Sequence, residues 1–434
     1  MRRVGLYWFG NDLRLTDQPG LVRAAREVDE LICVYLVNPD WFRPSRYSST
    51  RPLGRRREQF LLESLRALDE RLRPLGQRLN VAWARPLDVI PTLIARYHLT
   101  HIYRSRHPGF DEAREWRWLW DHYPQLEFVE VENQTLFESH QLGDGALPAT
   151  FSAFRRQMQN TAAAEPVAEL EQLPAGPEFS GARPPQPKAH DGAFIGGETP
   201  ARRHLNRYFN SDLPRRYKLD RNELDGWDHS TKFSPWLAMG CLSPRQLLSQ
   251  LRAYESRKGA NESTEWIHFE LLWREYFHWS ARELGSDLFR FGGRARRRPN
   301  TSFYPERFRK WCDGNTPYPL VNACMRQLNH TGYMSNRGRQ LVASCLVNEL
   351  SLDWRYGAAY FQEQLLDYDV GSNWGNWQYI AGVGADPRGG RHFNLAKQAA
   401  QYDPDGAFVA RWGGAGGDAQ LDSVDAADWP ITRD

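Results

Sequence analysis

The sequence has few of the residues that build disulfide frameworks or metal sites. Its five cysteines among 434 residues are scattered, odd in number and without a CxxC pair. This pattern disfavours a disulfide framework or a zinc site and favours buried free thiols in a reducing cytoplasm. No apolar run approaches the roughly 18 residues of a membrane span, and Met1-Arg2-Arg3 leads directly into the apolar run Val4–Phe9. We therefore expect a cytoplasmic protein without a signal peptide, a metal or a membrane partner.

Lysine is also scarce, with six lysines against 50 arginines, and the net charge is only +3. A charge this small does not by itself indicate a nucleic-acid partner. Arginine favours bidentate phosphate contacts, but a GC-rich genome produces the same bias, so composition leaves both explanations open. Tryptophan is abundant, with 17 residues, of which nine lie between Trp227 and Trp377. The length is sufficient for two or three domains with large buried cores.

The first 135 residues alternate between short apolar runs and amphipathic helical stretches. The clearest helix is Arg57–Leu72. The predicted strands are Val4–Phe9, Leu31–Val37, Leu79–Ala84, His101–Ser105 and Glu127–Val131. This alternation predicts a doubly wound parallel sheet with helices on both faces. No GxGxxG motif follows the first strand, which disfavours a nicotinamide dinucleotide site there.

The rest of the chain divides into three parts. Residues 136–200 include a stretch rich in Ala, Pro and Gly and are interpreted as a long interdomain linker. Residues 201–411 show helical periodicity almost throughout, which predicts an all-α domain. Residues 412–434 are rich in Gly, Ala and Asp, which predicts a short disordered tail.

Polar groups stand among the aromatic residues of the helical part. Glu270, Trp273 and Arg274 share a helix face through their i, i+3, i+4 spacing. Core packing explains a single tryptophan there, but a carboxylate beside an arginine and an indole indicates the wall of a polar pocket. The hydroxyl-rich segment Ser230–Ser234 precedes a helix and has the groups to bind a diphosphate.

Two further motifs favour a ligand with anionic and hydroxyl groups. Asn336, Arg337 and Arg339 lie at a helix start, where solvated arginines are the simpler interpretation and an anion or flavin site the functional one. Asp367 and Asp369 lie two residues apart without a nearby His or Cys, so hydrogen bonds to a ligand are favoured over a transition metal.

These motifs occur in the order and spacing of the photolyase/cryptochrome family. The sequence resembles that family in Ser230–Ser234, Trp273-Arg274-Glu275, Asn336-Arg337-x-Arg339 and Asp367-x-Asp369 followed by Asn373 and Trp377. It is similar to the DASH cryptochrome branch in YWFGNDLRLTDQPGL, ATFSAFRRQM, NRGRQ and LAKQAAQYDPDGAFVARW. The resemblance spans residues 4–412 and implies a photolyase-type α/β domain followed by a helical FAD-binding domain.

The resemblance implies FAD, bound in a bent conformation within the helical domain. Asn373 would face the flavin N5, where a neutral amide can donate or accept, and this favours repair chemistry. Arg339 would pair with Asp367 near the isoalloxazine, and the 230–234 segment would hold the diphosphate. The positions that match the cofactor-binding residues are Tyr217, Ser230, Thr231, Lys232, Phe233, Ser234, Arg339, Asp367, Asp369 and Asn373.

The resemblance also implies light-driven electron transfer from reduced FAD to a cyclobutane pyrimidine dimer extruded from DNA. Glu270, with a raised pKa in a dry pocket, and Asn336 would hydrogen-bond the dimer, while Trp273 and Tyr379 would pack on it. The basic loop Phe291–Arg298 would lie nearby. The positions that match DNA contacts are Arg221, Arg274, Arg337 and Gln340. Gln340 is similar to the DASH branch and implies a preference for single-stranded DNA, where extrusion costs less.

Two features depart from the family pattern. Trp377 and Trp354 match the inner and middle tryptophans of its electron-transfer chain, but Thr301 stands at the outer position. Candidate substitutes are Tyr304, Phe303 and Trp311. A methenyltetrahydrofolate antenna is usual in this branch, yet the sequence offers only Glu138 as its acidic contact and leaves a folate, a deazaflavin or no antenna open.

The sequence thus predicts a monomeric deoxyribodipyrimidine photolyase that prefers single-stranded DNA. The alternative is a blue-light photoreceptor or a DNA- or RNA-binding regulator with little repair activity. A (6-4) photolyase is disfavoured because Met334-Ser335-Asn336 supplies no histidine for its lesion pocket.

Overall fold

The N-terminal part of the chain forms a five-stranded parallel sheet in the order β3-β2-β1-β4-β5. The computed structural model describes residues 2–45, 48–143, 145–177, 181–190, 192–384 and 389–423. The strands are β1 (Val4–Phe9), β2 (Glu30–Leu36), β3 (Leu79–Ala82), β4 (His101–Ser105) and β5 (Glu127–Val131). In the central strand, Tyr7 is paired with Cys33 on one side and with Tyr103 on the other. The parallel sheet that the sequence predicts is confirmed.

Helices cover both faces of this sheet. They are α1 (Pro19–Glu27), α2 (Arg55–Leu72), α3 (Pro86–Tyr97) and α4 (Phe110–His122). Tyr7 and Phe9 of β1 belong to the buried cluster that includes α1 and α2, whereas Leu6 and Trp8 belong to the cluster that includes α3 and α4. Because successive side chains of a strand point to opposite faces, an apolar run without alternation suits a sheet buried on both sides.

Residues 136–200, interpreted as a linker, run along the sheet domain and include the helix α5 (Phe151–Met158). The hydroxyl of Thr150 caps α5 by accepting from the amide of Ala153. Further along, the amide of Leu31 donates to the carbonyl of Ala175 at 3.2 Å. The segment is therefore held by backbone contacts to the sheet domain. The domain boundaries given from the sequence stay a prediction.

Helices and turns make up the rest of the described chain. The first group is α6 (Glu198–Phe209), α7 (Tyr217–Asp220), α8 (Ser234–Ala238), α9 (Pro244–Lys258), α10 (Glu262–Leu284) and α11 (Pro305–Asp313). The second group is α12 (Pro319–Thr331), α13 (Asn336–Ser344), α14 (Trp354–Gln364), α15 (Val370–Ile380), α16 (Leu395–Tyr402) and α17 (Ala407–Arg411). A π turn, Cys345–Glu349, extends α13. Among the described helices, none is long and apolar enough to cross a membrane.

Glycines allow three of these helices to approach closely. A Cβ on Gly371 or Gly375 of α15 would lie 2.8 Å and 2.3 Å from atoms of Phe277 on α10. A Cβ on Gly357 of α14 would lie 2.2 Å from the ring of Trp377 on α15. Helix α15 is therefore fixed between α10 and α14 by contacts that no larger residue allows.

The first half of the tail that the sequence predicts to be disordered over residues 412–434 makes contacts with the rest of the described chain. Residues 412–423 pack on the helical domain, and Arg307 pairs with Asp422 at 2.5 Å. Low hydrophobicity predicted disorder, but ion pairs and backbone contacts fix this segment instead. Residues 424–434 lie outside the described residues.

Buried polar side chains join the two domains. Arg14, fully buried, donates to the carbonyls of Gly240 in the helical domain and Asn133 next to the sheet, at 3.0 and 2.7 Å. The carboxylate of Glu275 on α10, also fully buried, accepts from the amide of Leu136 at 2.8 Å. Because a buried charge is costly unless it is hydrogen-bonded, these contacts specify how the helical domain sits on the sheet domain.

Candidate functional site

A cavity of about 420 Å³ opens in the helical domain, and a second of about 220 Å³ adjoins it and shares several of its walls. Among the predicted residues, Phe233 lines only the smaller cavity. Arg337 and Trp354 line neither of these two cavities. The predicted residues that line the larger one are Tyr217, Arg221, Ser230, Thr231, Lys232, Ser234, Glu270, Trp273, Arg274, Asn336, Arg339, Gln340, Asp367, Asp369, Asn373, Trp377 and Tyr379.

Arg339, which is partly exposed, and Asp367, whose carboxylate is buried, form an ion pair on one wall. Arg339 Nη2 lies 2.8 Å from Asp367 Oδ2, and Arg339 Nε donates to the carbonyl of Met334. Burial lowers the pKa of Arg339, but the charge of the Asp367 carboxylate and its hydrogen bond raise it by more, so the pKa of Arg339 lies above its usual value. The other carboxylate oxygen, Oδ1, is buried without a hydrogen-bond partner among the described residues. A buried unpaired carboxylate oxygen is costly, so this atom indicates that a donor group of a ligand belongs there.

Asp369 begins α15 and fixes the helix that carries Asn373 and Trp377. Its Oδ1 accepts from the amide of Ser372 at 2.7 Å, the usual bond of an N-cap. Burial would raise the pKa of Asp369, but hydrogen bonds and the charge of Arg274 outweigh burial and lower it. Asn373 and Trp377 then follow one turn apart on the face that lines the cavity.

His278 of α10 lies beneath Asp369 and was not identified from the sequence. Its Nε2 is 2.7 Å from Asp369 Oδ2, and the imidazole is fully buried. Burial lowers the pKa of His278 to about 4, so the ring is neutral near pH 7 and donates to the carboxylate. A histidine within an aromatic helix carries no sequence signal for such a partner 91 residues away.

The segment Ser230–Ser234 forms a polar corner of the cavity. Lys232 Nζ donates to Ser230 Oγ at 3.0 Å and lies 4.8 Å from the ring centroid of Tyr333. Lys232 has φ of 54°, a conformation that is uncommon outside glycine and that clusters at functional sites. His204 Nε2 contacts the carbonyl of Thr231 and thereby holds the segment against α6.

The amide of Asn373 has a fixed orientation. Its Nδ2 donates to the carbonyl of Ala358 on α14 at 3.0 Å. The donor group is therefore engaged within the protein, and Oδ1 is the atom that can accept a hydrogen bond from a ligand.

Aromatic rings form a wall of the larger cavity around Trp273. Phe151 of α5 stacks on Trp273 with ring centroids 3.8 Å apart and an interplanar angle of 10°. Tyr379 meets the same indole edge-on at 5.9 Å. The role of Phe151 was missed, although it lies within the ATFSAFRRQM motif, because a phenylalanine in a predicted linker gave no indication of a contact with α10.

Glu270 is paired rather than isolated. Its Oε1 contacts Arg221 Nη1 and accepts from Trp266 Nε1 at 3.0 Å. The guanidinium of Arg221 also lies 5.0 Å from the ring centroid of Trp266. The sequence interpretation expected a dry pocket around this carboxyl, and the structure places the guanidinium of Arg221 beside it.

Two arginines that were predicted to contact DNA have other partners. Arg274 Nη1 donates to the carbonyl of Gln134 at 2.6 Å across the domain interface, and burial lowers the pKa of Arg274. Arg337 donates to Asn222 Oδ1 and lies over the ring of Tyr402 at 4.9 Å. Both guanidinium groups have partners within the protein, and the DNA contacts of Arg274 and Arg337 stay a prediction.

The loop Phe291–Arg298 lies beside the end of α15 that carries Tyr379. The amide of Arg294 donates to Gln378 Oε1 at 3.1 Å, and the amide of Ala295 donates to the carbonyl of Val383. Residues 296–298, all arginines, are exposed. These exposed arginines therefore form a positive surface beside the end of α15 that carries the cavity residue Tyr379.

The predicted electron-transfer residues lie behind this wall. Trp377 lines the cavity and meets Trp311 edge-on at 6.2 Å between ring centroids. Trp354 is fully buried, pairs with Trp374 at 5.8 Å and donates to a backbone carbonyl. The predicted antenna contact, Glu138, accepts from a backbone amide as the cap of a short 3-10 turn.

The cavity residues fit a flavin dinucleotide. Asp367 Oδ1 needs a donor, which a flavin ring or a ribose hydroxyl offers, and Asn373 Oδ1 can accept from a ring N–H. Lys232 supplies positive charge at the hydroxyl-rich corner for a diphosphate. Trp377 and Phe361 give the apolar surface that an isoalloxazine requires.

Family models match both parts of the chain. Residues 5–177 match the DNA photolyase model, and residues 266–420 match the FAD binding domain of DNA photolyase. With the parallel-sheet domain, the helical domain and the cavity, these matches define an FAD-binding protein of the photolyase fold.

Similar proteins narrow this assignment. The chain is 50% identical to a cryptochrome DASH of Idiomarina loihiensis, over 99% of this chain and 97% of that protein. It is also 50% identical to a cryptochrome DASH of Vibrio parahaemolyticus, over 99% and 98%. The Synechocystis cryptochrome structure superimposes with a TM-score of 0.90 at 38% identity, covering 95% of this chain and 89% of that one. The chain belongs to the cryptochrome DASH group of the photolyase/cryptochrome family.

Proposed function

We propose that the protein uses FAD and blue light to split cyclobutane pyrimidine dimers, with a preference for single-stranded DNA. The observation that carries this proposal is one cavity that joins the flavin-compatible residues Asp367 and Asn373 to Trp273, Asn336 and Tyr379. A base stacked on Trp273 would then lie beside the flavin without an intervening wall.

The chain's own residues bind and orient the dimer. Bound FAD supplies the photoexcited electron that splits it and takes that electron back. Trp273, held by Phe151, offers a rigid flat surface for a flipped base. The two known contacts of Glu270 engage Oε1, so we assign Oε2 to accept from a base N–H group. Asn336, exposed at the cavity, can both donate to and accept from the base edge.

The free-energy cost of extruding a base from DNA supports the preference for single strands. Extruding a base from a duplex requires unpairing and unstacking of a few kcal/mol, whereas a single strand has already lost its pairing. Of the four side chains assigned to DNA, Arg221 is paired with Glu270, and Arg274 and Arg337 are bound within the protein. Few cavity arginines are then left to hold a distorted duplex, and Gln340 adds no charge.

We also propose that the protein acts as a cytoplasmic monomer, in keeping with five buried free cysteines.

The test is a repair assay on the holoprotein with chemically reduced FAD. Oligothymidylate that carries one dimer is illuminated or kept dark, as a single strand and annealed to its complement. We expect light-dependent recovery of thymine absorbance in the single strand and much less in the duplex. Equal recovery in both would reject the strand preference alone. No recovery with reduced FAD bound would reject repair and favour a photoreceptor or a nucleic-acid-binding regulator.

A further inference from the structure

The outer position of the family's tryptophan chain is Thr301 in this protein, so the path from the surface to the cavity needs another end. From the fully buried Trp354, the neighbouring ring is Trp374, which is only 8% exposed. Trp374 meets Phe289 edge-on at 4.9 Å. Phenylalanine is much harder to oxidise than tryptophan or tyrosine. The other neighbour is Tyr368, whose hydroxyl accepts from Trp374 Nε1 at 3.2 Å, but the guanidinium of Arg57 lies 4.6 Å over the Tyr368 ring, and this positive charge opposes removal of an electron from it.

A second series of rings leaves Trp377 through Trp311. The two indoles are 6.2 Å apart between centroids, and Trp311 is fully buried. The indole Nε1 of Trp311 donates to the carbonyl of Val342 at 2.9 Å, which fixes the ring. Tyr360 lies 5.7 Å from Trp311 and Phe308 lies 6.2 Å from it.

This second branch reaches the protein surface. Phe308 lies 5.7 Å from Tyr356, and Tyr356 stacks on Phe303 at 4.0 Å. Phe303 is 36% exposed and Tyr356 is partly exposed. An oxidisable ring therefore stands at the surface, one ring removed from Trp311.

Tyr356 is better placed than Tyr360 to lose a proton. The hydroxyl of Tyr360 donates to Asn329 Oδ1 at 2.7 Å, and an amide oxygen is too weak a base to keep that proton. Both tyrosines are partly exposed, but the hydroxyl of Tyr356 has no hydrogen-bond partner among the described residues, so solvent water can take its proton when the ring is oxidised. Oxidation of phenols is favourable only when the proton leaves with the electron.

We propose that Trp377, Trp311 and Tyr356 form the route by which this protein reduces its flavin in light. The inference rests on FAD as the cofactor and goes beyond the repair reaction itself. An electron that leaves Trp377 for the excited oxidised flavin is replaced from Trp311. Trp311 is refilled from Tyr356 across Phe308, and Tyr356 releases its phenolic proton to water. A soluble thiol then returns one electron to the tyrosyl radical, which regains a proton.

The test is flash excitation of the oxidised holoprotein, with the tryptophan and tyrosyl radicals followed by transient absorption. We compare wild type with W311F, Y356F and W354F, and we measure FAD content in each. We expect W311F to lose the long-lived radical and Y356F to lose the tyrosyl signature of that radical. We expect W354F to keep both signals. A radical that survives in W311F and disappears in W354F would overturn the route.

Two controls separate folding and function from the route. Y356F removes one hydroxyl near the surface, so it tests the route even if W311F fails to fold. Steady illumination with a thiol should reduce the flavin of wild type and leave that of Y356F largely oxidised; equal reduction would contradict the proposal. Wild-type repair after chemical reduction does not use this route, so its failure would count against the proposed function and not against the route.

Discussion

Single charged side chains of the cavity are held by partners on other elements. Asp367 is held by Arg339 of α13, Asp369 by His278 of α10, and Glu270 by Arg221. Each carboxylate thus has a fixed position before any ligand binds. This preorganisation lets the protein spend little free energy on ordering side chains when it binds its cofactor.

The first prediction concerns Asp367. Asp367→Asn keeps the shape of the side chain but removes the charge that pairs with Arg339 and that faces the ligand. We expect FAD binding to weaken by about 1.5–3 kcal/mol, the usual contribution of hydrogen bonds to charged groups. Titration of the apoprotein with FAD measures this. The matched control is Asp228→Asn, whose carboxylate pairs with Arg207 on the surface and should matter little. Equal effects of both substitutions would contradict the assignment.

The second prediction concerns pH. Burial lowers the pKa of His278 in the folded protein to about 4, below its unfolded value of about 6.5. The unfolded chain therefore takes up a proton first, and stability falls as the pH decreases from 6.5 towards 4, by at most about 3 kcal/mol. His278→Gln can still donate to Asp369 but does not titrate. Denaturant unfolding of both proteins across this range should show a steeper loss for wild type, and parallel curves would refute the prediction.

At the scale of elements, the position of α15 determines the geometry of the site. Its N-cap is Asp369, its inward face carries Asn373 and Trp377, and its glycines contact Phe277. Helix α13 contributes Arg339 and Gln340 to the same cavity. A shift of α15 would therefore move the amide and the indole together.

The third prediction tests this packing. Gly357→Ala on α14 places a methyl group 2.2 Å from the Trp377 ring, so the indole or the helix must shift. We expect a loss of about 1–3 kcal/mol in unfolding free energy, typical of overpacking. The holoprotein should also change its flavin absorption. The control, Gly416→Ala, has no atom within 4 Å of the new methyl group and should leave both unchanged. An unaltered Gly357→Ala protein would show that α15 is not held as tightly as described.

At the scale of the whole molecule, the sequence predicted the layers but not the contacts between them. Apolar runs identified all five strands to within two residues. The signal is strongest in β1 and β2, which are buried along nearly their whole length, because a strand buried on both faces is continuously apolar. The contacts of the linker and of the tail could not be predicted, since the partners of Phe151 and Asp422 come from distant parts of the chain.

In the site, too, local patterns predicted the residues but not their partners. Most residues predicted from the family motifs line one cavity, because those motifs contain the residues themselves. Partners such as His278 and the new partners of Arg274 and Arg337 depend on tertiary neighbours, which no local pattern contains. The interdomain contact of Arg14 with backbone carbonyls was hidden for the same reason.

The central claim is that one cavity holds both the flavin and the dimer. The most direct measurement is the crystal structure of the reduced holoprotein with a single-stranded, dimer-bearing oligothymidylate, solved in the dark and after illumination. The account predicts the dimer against Trp273 and Tyr379 in the dark, with the flavin beside Asn373, and two separated thymines after light. A dimer bound outside the cavity, or one that stays intact in the light, would contradict it.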